Sequence, residues 1–207
     1  MHVSWPLPSA VETAVDVLDR LATAHLGPMV WEATASGGRI HHRVGMHPAS
    51  LPAFSGILRE LLPLIQIAPV NREDEPVVLA GRVALSRPQL ALGVDRLTAT
   101  VRAVLASLAM ANRPEETVTI QLLLGSTLPP RLSTRADSGW WQVLTGAADH
   151  PVNQIERARL ATRAALHGFR ARLRIGARAE SPARGEQLLR AVLASLRVAE
   201  TSATRVR

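Results

Sequence analysis

Three arginines at alternate positions, Arg170, Arg172 and Arg174, interleave with Phe169, Ala171, Leu173 and Ile175. In an extended strand successive side chains point to opposite faces, so the three guanidinia share one face and the apolar residues the other. A planar guanidinium suits phosphates, carboxylates and aromatic faces. Arg178 ends the same basic run, and Arg157, Arg159 and Arg163 precede it in a segment expected to be helical. These residues mark a candidate surface for a phosphate backbone or an acidic protein. Aromatic residues do not interleave with the arginines as they do in the RNP motifs of RNA-reading sheets, so specific base recognition is not expected. A solvated basic face without a partner is the plainer alternative.

Trp140-Trp141 forms a second candidate, because aromatics make up only 3% of the chain and two of its four tryptophans are adjacent. Exposed, the pair is a partner anchor, since tryptophan is enriched in binding hot spots; buried, it pins an irregular loop to the core. His41, His42 and His47 are of the type that ligates metals. Strand alternation separates them, however, placing His42 with Ile40, Val44 and Met46, and His41 with the cations Arg39 and Arg43. Glu73-Asp74-Glu75 beside Pro76 reads as a solvated connection, not a magnesium site. Asp137-Ser138 and Asp149-His150 contain the residue types of a hydrolase triad but no G-x-S-x-G elbow. No catalytic residue, cofactor or metal is expected.

Composition excludes more chemistry than these motifs supply. All 24 cationic residues are arginine, so a P-loop lysine, a kinase-type strand lysine and a Schiff-base lysine are impossible. Cysteine and tyrosine are absent, which removes disulfides, thiolate nucleophiles and tyrosine general acids and suits a reducing interior. Charge is uneven: residues 1–150 hold 12 Arg against 13 Asp plus Glu, and residues 151–207 hold 12 Arg against 4 Glu. The basic balance therefore belongs to the carboxy-terminal quarter. With 47% hydrophobic and 20% charged residues the composition is that of a globular domain. The longest uncharged stretches fall short of the roughly 20 apolar residues that span a bilayer, and the amino terminus lacks the basic and apolar regions of a cleaved signal.

The elements that must position the arginines follow from periodicity. Ser9 and Glu12 make a capping box for a helix to about His25, with Val11, Val15, Leu18, Leu21 and Ala22 as its apolar stripe. Strands 29–34 and 39–46 flank the turn Ser36-Gly37-Gly38; a helix follows through Leu51, Phe54, Leu58, Leu61 and Leu62, then a strand at 64–68. Residues 1–76 thus form an α-β-β-α-β module. A second module, 77–207, reads as strand 77–86, a helix from about 94 to 111 with Leu97, Val101, Val104, Leu105 and Leu108 inward, strand 118–122, an irregular insertion at about 126–153, a helix over about 154–167, strand 169–177, and a helix capped by Ser181 and opened by Pro182, with a closing strand at 204–206. The expected fold class is α+β, two tandem ferredoxin-like modules with antiparallel sheets and helices on one face.

Several segments, among them Leu18-Asp19-Arg20-Leu21-Ala22, Val30-Trp31-Glu32, Gly38-Arg39-Ile40 with Arg43-Val44-Gly45, Leu61-Leu62-Pro63 and Ile67-Ala68-Pro69-Val70, resemble the amino-terminal non-ATPase region of actinobacterial type IV secretion system conjugative DNA transfer family proteins. Trp140 to Leu144 and Phe169 to Arg178 extend the resemblance over nearly the whole chain. It implies a cytoplasmic module, held at the inner face of the plasma membrane through its partners, ahead of a hexameric RecA-like ATPase. The implied partners are that ATPase domain or secretion-channel subunits, and DNA bound without sequence specificity. No ATP-binding residue carries over, because this chain contains neither a Walker A nor a Walker B motif. The expected role is a non-catalytic assembly or DNA-proximal module, the alternative a stand-alone nucleic-acid-binding or protein–protein adaptor domain.

Overall fold

The computed structural model describes residues 1–5, 11–70, 77–86, 92, 94–130, 167–201 and 204–207. In chain order these form β1 (His2–Ser4), α1 (Val11–Thr23), β2 (Met29–Ser36), β3 (Arg39–Met46), α2 (Leu51–Leu61), β4 (Gln66–Ala68), β5 (Leu79–Val83), α3 (Leu97–Ala109), β6 (Thr117–Leu128), β7 (Gly168–Arg178) and α4 (Pro182–Leu196). The class is α+β. All the described strands join one antiparallel sheet in the order β4-β1-β3-β2-β6-β7-β5. The strands on either side of the boundary expected at residue 76 are continuous through β2 and β6, which pair along the whole of β2 from Met29↔Leu124 to Ser36↔Thr117.

Strand alternation decides which side of this sheet is core. The odd residues of β2, the even residues of β3 and β6, and the odd residues of β7 face the helices. Near the first half, Val17, Leu21, Phe54, Leu58 and Leu62 of the α1–α2 side bury Met29, Val44 and Leu124. In the second half, Leu108, Leu188 and Val192 of α3 and α4 bury Ala35, Val118, Ile175 and Ala177. Both clusters lie on the same side, so the described helices leave the opposite face of the sheet uncovered.

Local chemistry accounts for the elements. The Gly37-Gly38 turn has φ of +54° and +76°, the two positive values that a two-residue hairpin matching strand twist requires and that glycine adopts without strain. Gly38 N–H also donates to Ala111 O at 3.2 Å, tying this hairpin tip to the end of α3. Ser181 Oγ accepts from Arg184 N–H at 3.3 Å and Pro182 opens α4, as their sequence positions indicate. The closing strand expected at 204–206 takes the form of a Leu85↔Val206 bridge, flanked by reciprocal backbone bonds between Ala84 and Arg207 at 2.8 Å.

Four expectations need correction. The first half begins with a strand, β1, which alternation cannot detect because it has three residues and one apolar side chain; pairing with β3 and β4 creates it. Strand β6 runs through Leu128, so the insertion expected from Ser126 does not begin there. On α1, Val15 and Leu18 are 48% and 40% exposed while Val17 is buried, because the core admits only a narrow face of this helix. On α3, Val101 and Leu105 are likewise exposed, and the small Thr100 and Ser107 are buried with Leu108. Ser107 Oγ lies 3.3 Å from Ser195 Oγ, and each of the two hydroxyls is also bonded to a carbonyl of its own helix, so small polar residues let α3 and α4 approach closely.

Candidate functional site

The uncovered face is built from the even residues of β1, β2 and β7, the odd residues of β3 and β6, and Arg82 of β5. Register aligns one row across it: His2, Arg43, Glu32, Gln121, Arg174 and Arg82, from β1 to β5. Arg170, Arg172 and Arg174 are all exposed on this face, separated by about 6.8 Å per alternate residue. Arg39 and Arg82 are exposed here too, so cations from strands of both halves converge. Among the described residues none of these five arginines has a carboxylate within ion-pair distance.

Glu32 is the sole carboxylate among the described strand residues, and it is 6% exposed at the centre of the row. Thr34 Oγ1 donates to its Oε1 at 3.1 Å and Gln121 Nε2 to its Oε2 at 2.7 Å, while Arg43 Nη1 stands 3.8 Å away. Thr34 in turn lies 3.3 Å from Thr119 Oγ1 on the adjoining strand. A buried carboxylate needs such donors, because desolvation otherwise disfavours its charge. The network fixes the Gln121 amide and draws Arg43 over the sheet. Arg43 Nε is buried with no hydrogen-bond partner among the described residues, leaving an unused donor beside the carboxylate.

Cationic crowding marks the β1–β3 side. The His2 and His41 rings meet edge to face with centroids 5.8 Å apart. Burial, then the charges of His2, Arg43 and Arg39, push the His41 pKa below the ordinary histidine range. Burial and Arg43 likewise lower the amino-terminal ammonium of Met1, which donates to Val44 O at 2.9 Å. The guanidinia of Arg39 and Arg43 beside His41 make this side of the face more favourable to an anion than to a cation.

The sequence-predicted residues fare unequally. Arg170, Arg172 and Arg174 share the uncovered face as alternation requires; Arg178 is on it at the far end of β7, half-buried. Arg157, Arg159, Arg163, Trp140 and Trp141 lie outside the described residues, as do Ser9, Glu73 to Glu75 and the Asp137 and Asp149 pairs. His41 and His42 do face opposite sides, and His47 Nδ1 accepts from Ala49 N–H at 3.3 Å in the turn before α2. No group of three or more metal-ligating side chains gathers among the described residues. Sequence reasoning missed Arg39, Arg43, Arg82, Glu32 and Gln121. The alternation of Arg39, His41 and Arg43 was a usable signal, but only strand order reveals that these residues share a face with β7.

No protein-family model, curated protein or solved structure matches the chain. Among the described residues no helix is long and apolar enough to cross a membrane.

Proposed function

We propose that this chain is a non-catalytic module that holds a phosphate backbone against the open face of its sheet, serving as the assembly or DNA-proximal module of a type IV secretion conjugative DNA transfer ATPase. One observation carries the phosphate reading: exposed arginines from β3, β5 and β7 converge on a face that the described helices leave uncovered, with no carboxylate partner among the described residues. Guanidinia so placed have their hydrogen-bond capacity free for an external anion. The link to a conjugation machine rests on the resemblance of the segments around Val30-Trp31-Glu32, Arg43-Val44-Gly45 and Phe169 to Arg178. In this reading the module is cytoplasmic, and a RecA-like ATPase domain or a secretion-channel subunit is its protein partner.

The halves are two ferredoxin-like modules in the same proposal. The first runs β-α-β-β-α-β with β4-β1-β3-β2 as its spatial order, and the second repeats β-α-β-β-α before the Leu85↔Val206 bridge. Joined through β2 and β6, the modules give one face of double width. That breadth accommodates more phosphates than either half alone.

Anisotropy titrations with single- and double-stranded oligonucleotides at several salt concentrations test the reading. Binding should be non-specific, and log K should fall with log salt by roughly 0.7 to 0.9 per neutralised phosphate. Replacing Arg170, Arg172 and Arg174 together with serine should reduce that slope by about 2 to 3. Unaltered binding by the folded triple variant would dismiss β7 as the contact strand. No binding even at low salt would point instead to an acidic protein partner. Calorimetric titration with Mg-ATP should show no saturable binding, since the chain lacks the lysine and glycine loop that cradle its phosphates; micromolar binding to folded protein would sink the non-catalytic reading.

A further inference from the structure

The open face carries an apolar floor as well as charge. Register places Gly45, Val30, Leu123 and Arg172 side by side on β3, β2, β6 and β7. Val30 and Leu123 are both partly exposed, which is unexpected in a row otherwise free to be polar. Glycine at position 45 leaves the floor open on one side. At Gly125 the backbone of β7 comes so close that an added Cβ would lie 3.3 Å from Arg170 O.

This floor is the shared wall of two cavities. One, about 670 Å³, includes Arg170 and Arg172 in its lining, and the other, about 370 Å³, includes Glu32, Arg43, Gln121 and Arg174. Both volumes fall within or near the roughly 300 to 1,000 Å³ of small-molecule sites. An apolar surface bounded by guanidinia on both sides suits a ligand with a planar apolar part and a negative group to either side of it. Inorganic phosphate alone makes no use of the floor, and a duplex keeps its bases stacked inside. An unpaired nucleotide matches both features, with the Arg172 guanidinium plane available for stacking in place of the missing aromatics.

We propose that Val30 and Leu123 form a platform for one nucleobase of a single-stranded nucleic acid, on which the Arg172 guanidinium stacks, with Arg170 holding the phosphate on one side and Arg43 and Arg174 the phosphate on the other. The proposal rests on the phosphate-backbone reading and adds a preference for single strands. It does not assign base identity.

The test compares labelled oligo-dT with a fully abasic oligonucleotide of the same length and phosphate count, at one low salt concentration. The intact chain should bind oligo-dT about tenfold more tightly than the abasic strand, the scale of one stacked base, and a duplex should gain nothing from the platform. In folded Leu123→Ser protein that ratio should fall towards one while abasic binding is retained. Arg172→Ser, at an exposed position, should weaken both strands and narrow the ratio. Equal affinity of the intact chain for the two strands overturns the platform and leaves the phosphate reading standing. Binding of neither strand overturns both, and a ratio unchanged in both folded variants removes the platform from this site.

Discussion

Replacing Arg184 with alanine should destabilise the protein by about 2 to 4 kcal/mol in urea unfolding, because it removes the hydrogen-bonded partner of a buried carboxylate and leaves it the more distant Arg113 Nε at 3.9 Å. Glu116 is fully buried at the start of β6, and Arg184, in the first turn of α4, meets it at 2.7 Å through Nε and 3.2 Å through Nη2. The same guanidinium donates to Met110 O at 2.9 Å, beyond the end of α3. One side chain therefore ties α3, β6 and α4 together. The lower end of the range is favoured because about a quarter of the Arg184 side chain remains in water and part of its attraction is screened.

Acid should reproduce part of this loss. The hydrogen bonds from Arg184 hold the Glu116 pKa below the ordinary glutamate value against the opposing effect of burial. A carboxylate whose folded pKa is depressed contributes stability that is fully present above its unfolded pKa, near 4.5, and is lost as pH falls through the lower folded value. Glu116→Gln should flatten stability against pH in that acid window. A steep slope persisting in the folded variant would assign the acid sensitivity to other carboxylates.

Phe54→Ala should cost about 3 to 5 kcal/mol, the range for truncating a fully buried aromatic. Phe54 is 0% exposed on α2 and meets Trp31 edge to face at 5.8 Å, while Trp31 stacks on Trp5 at 5.4 Å. The substitution empties the centre of the first core and removes that ring contact. Val15→Ser on α1 should change stability by no more than about 0.5 kcal/mol, because Val15 is 48% exposed. Denaturation followed by tryptophan fluorescence compares the two. Comparable losses would return Val15 to the core, where simple periodicity places it.

The contrast between these two residues shows where the sequence is informative. Phe54 and Leu58, spaced i and i+4, are both buried as the helical pattern indicates, and Ser181-Pro182 starts α4 where capping chemistry requires. Those signals are local: a cap, a turn and an i, i+4 pair depend on neighbouring residues alone. On α1 and α3 the apolar residues outnumber the positions the core can take. Burial of Val17 over Val15, and of Ser107 over Leu105, depends on how closely a partner helix approaches. Three-residue β1 has no periodicity to read and exists through its pairing.

The candidate site divides along the same line. Alternation alone placed Arg170, Arg172 and Arg174 on one face of a strand, and lysine-free composition excluded lysine-dependent phosphate chemistry before any fold was known. Side-chain direction in a strand has a period of two whatever its partners, so this much is carried by covalent geometry and sterics. Tertiary structure decided that all the described helices cover the other side, that β2 pairs with β6, and that Arg43, Glu32, Gln121, Arg174 and Arg82 therefore stand in one row. Residues 32, 43, 82, 121 and 174 are far apart in the chain, and no local pattern specifies which strands become neighbours. Strand order is chosen by the joint burial of the apolar faces, and the polar row on the opposite side is its consequence.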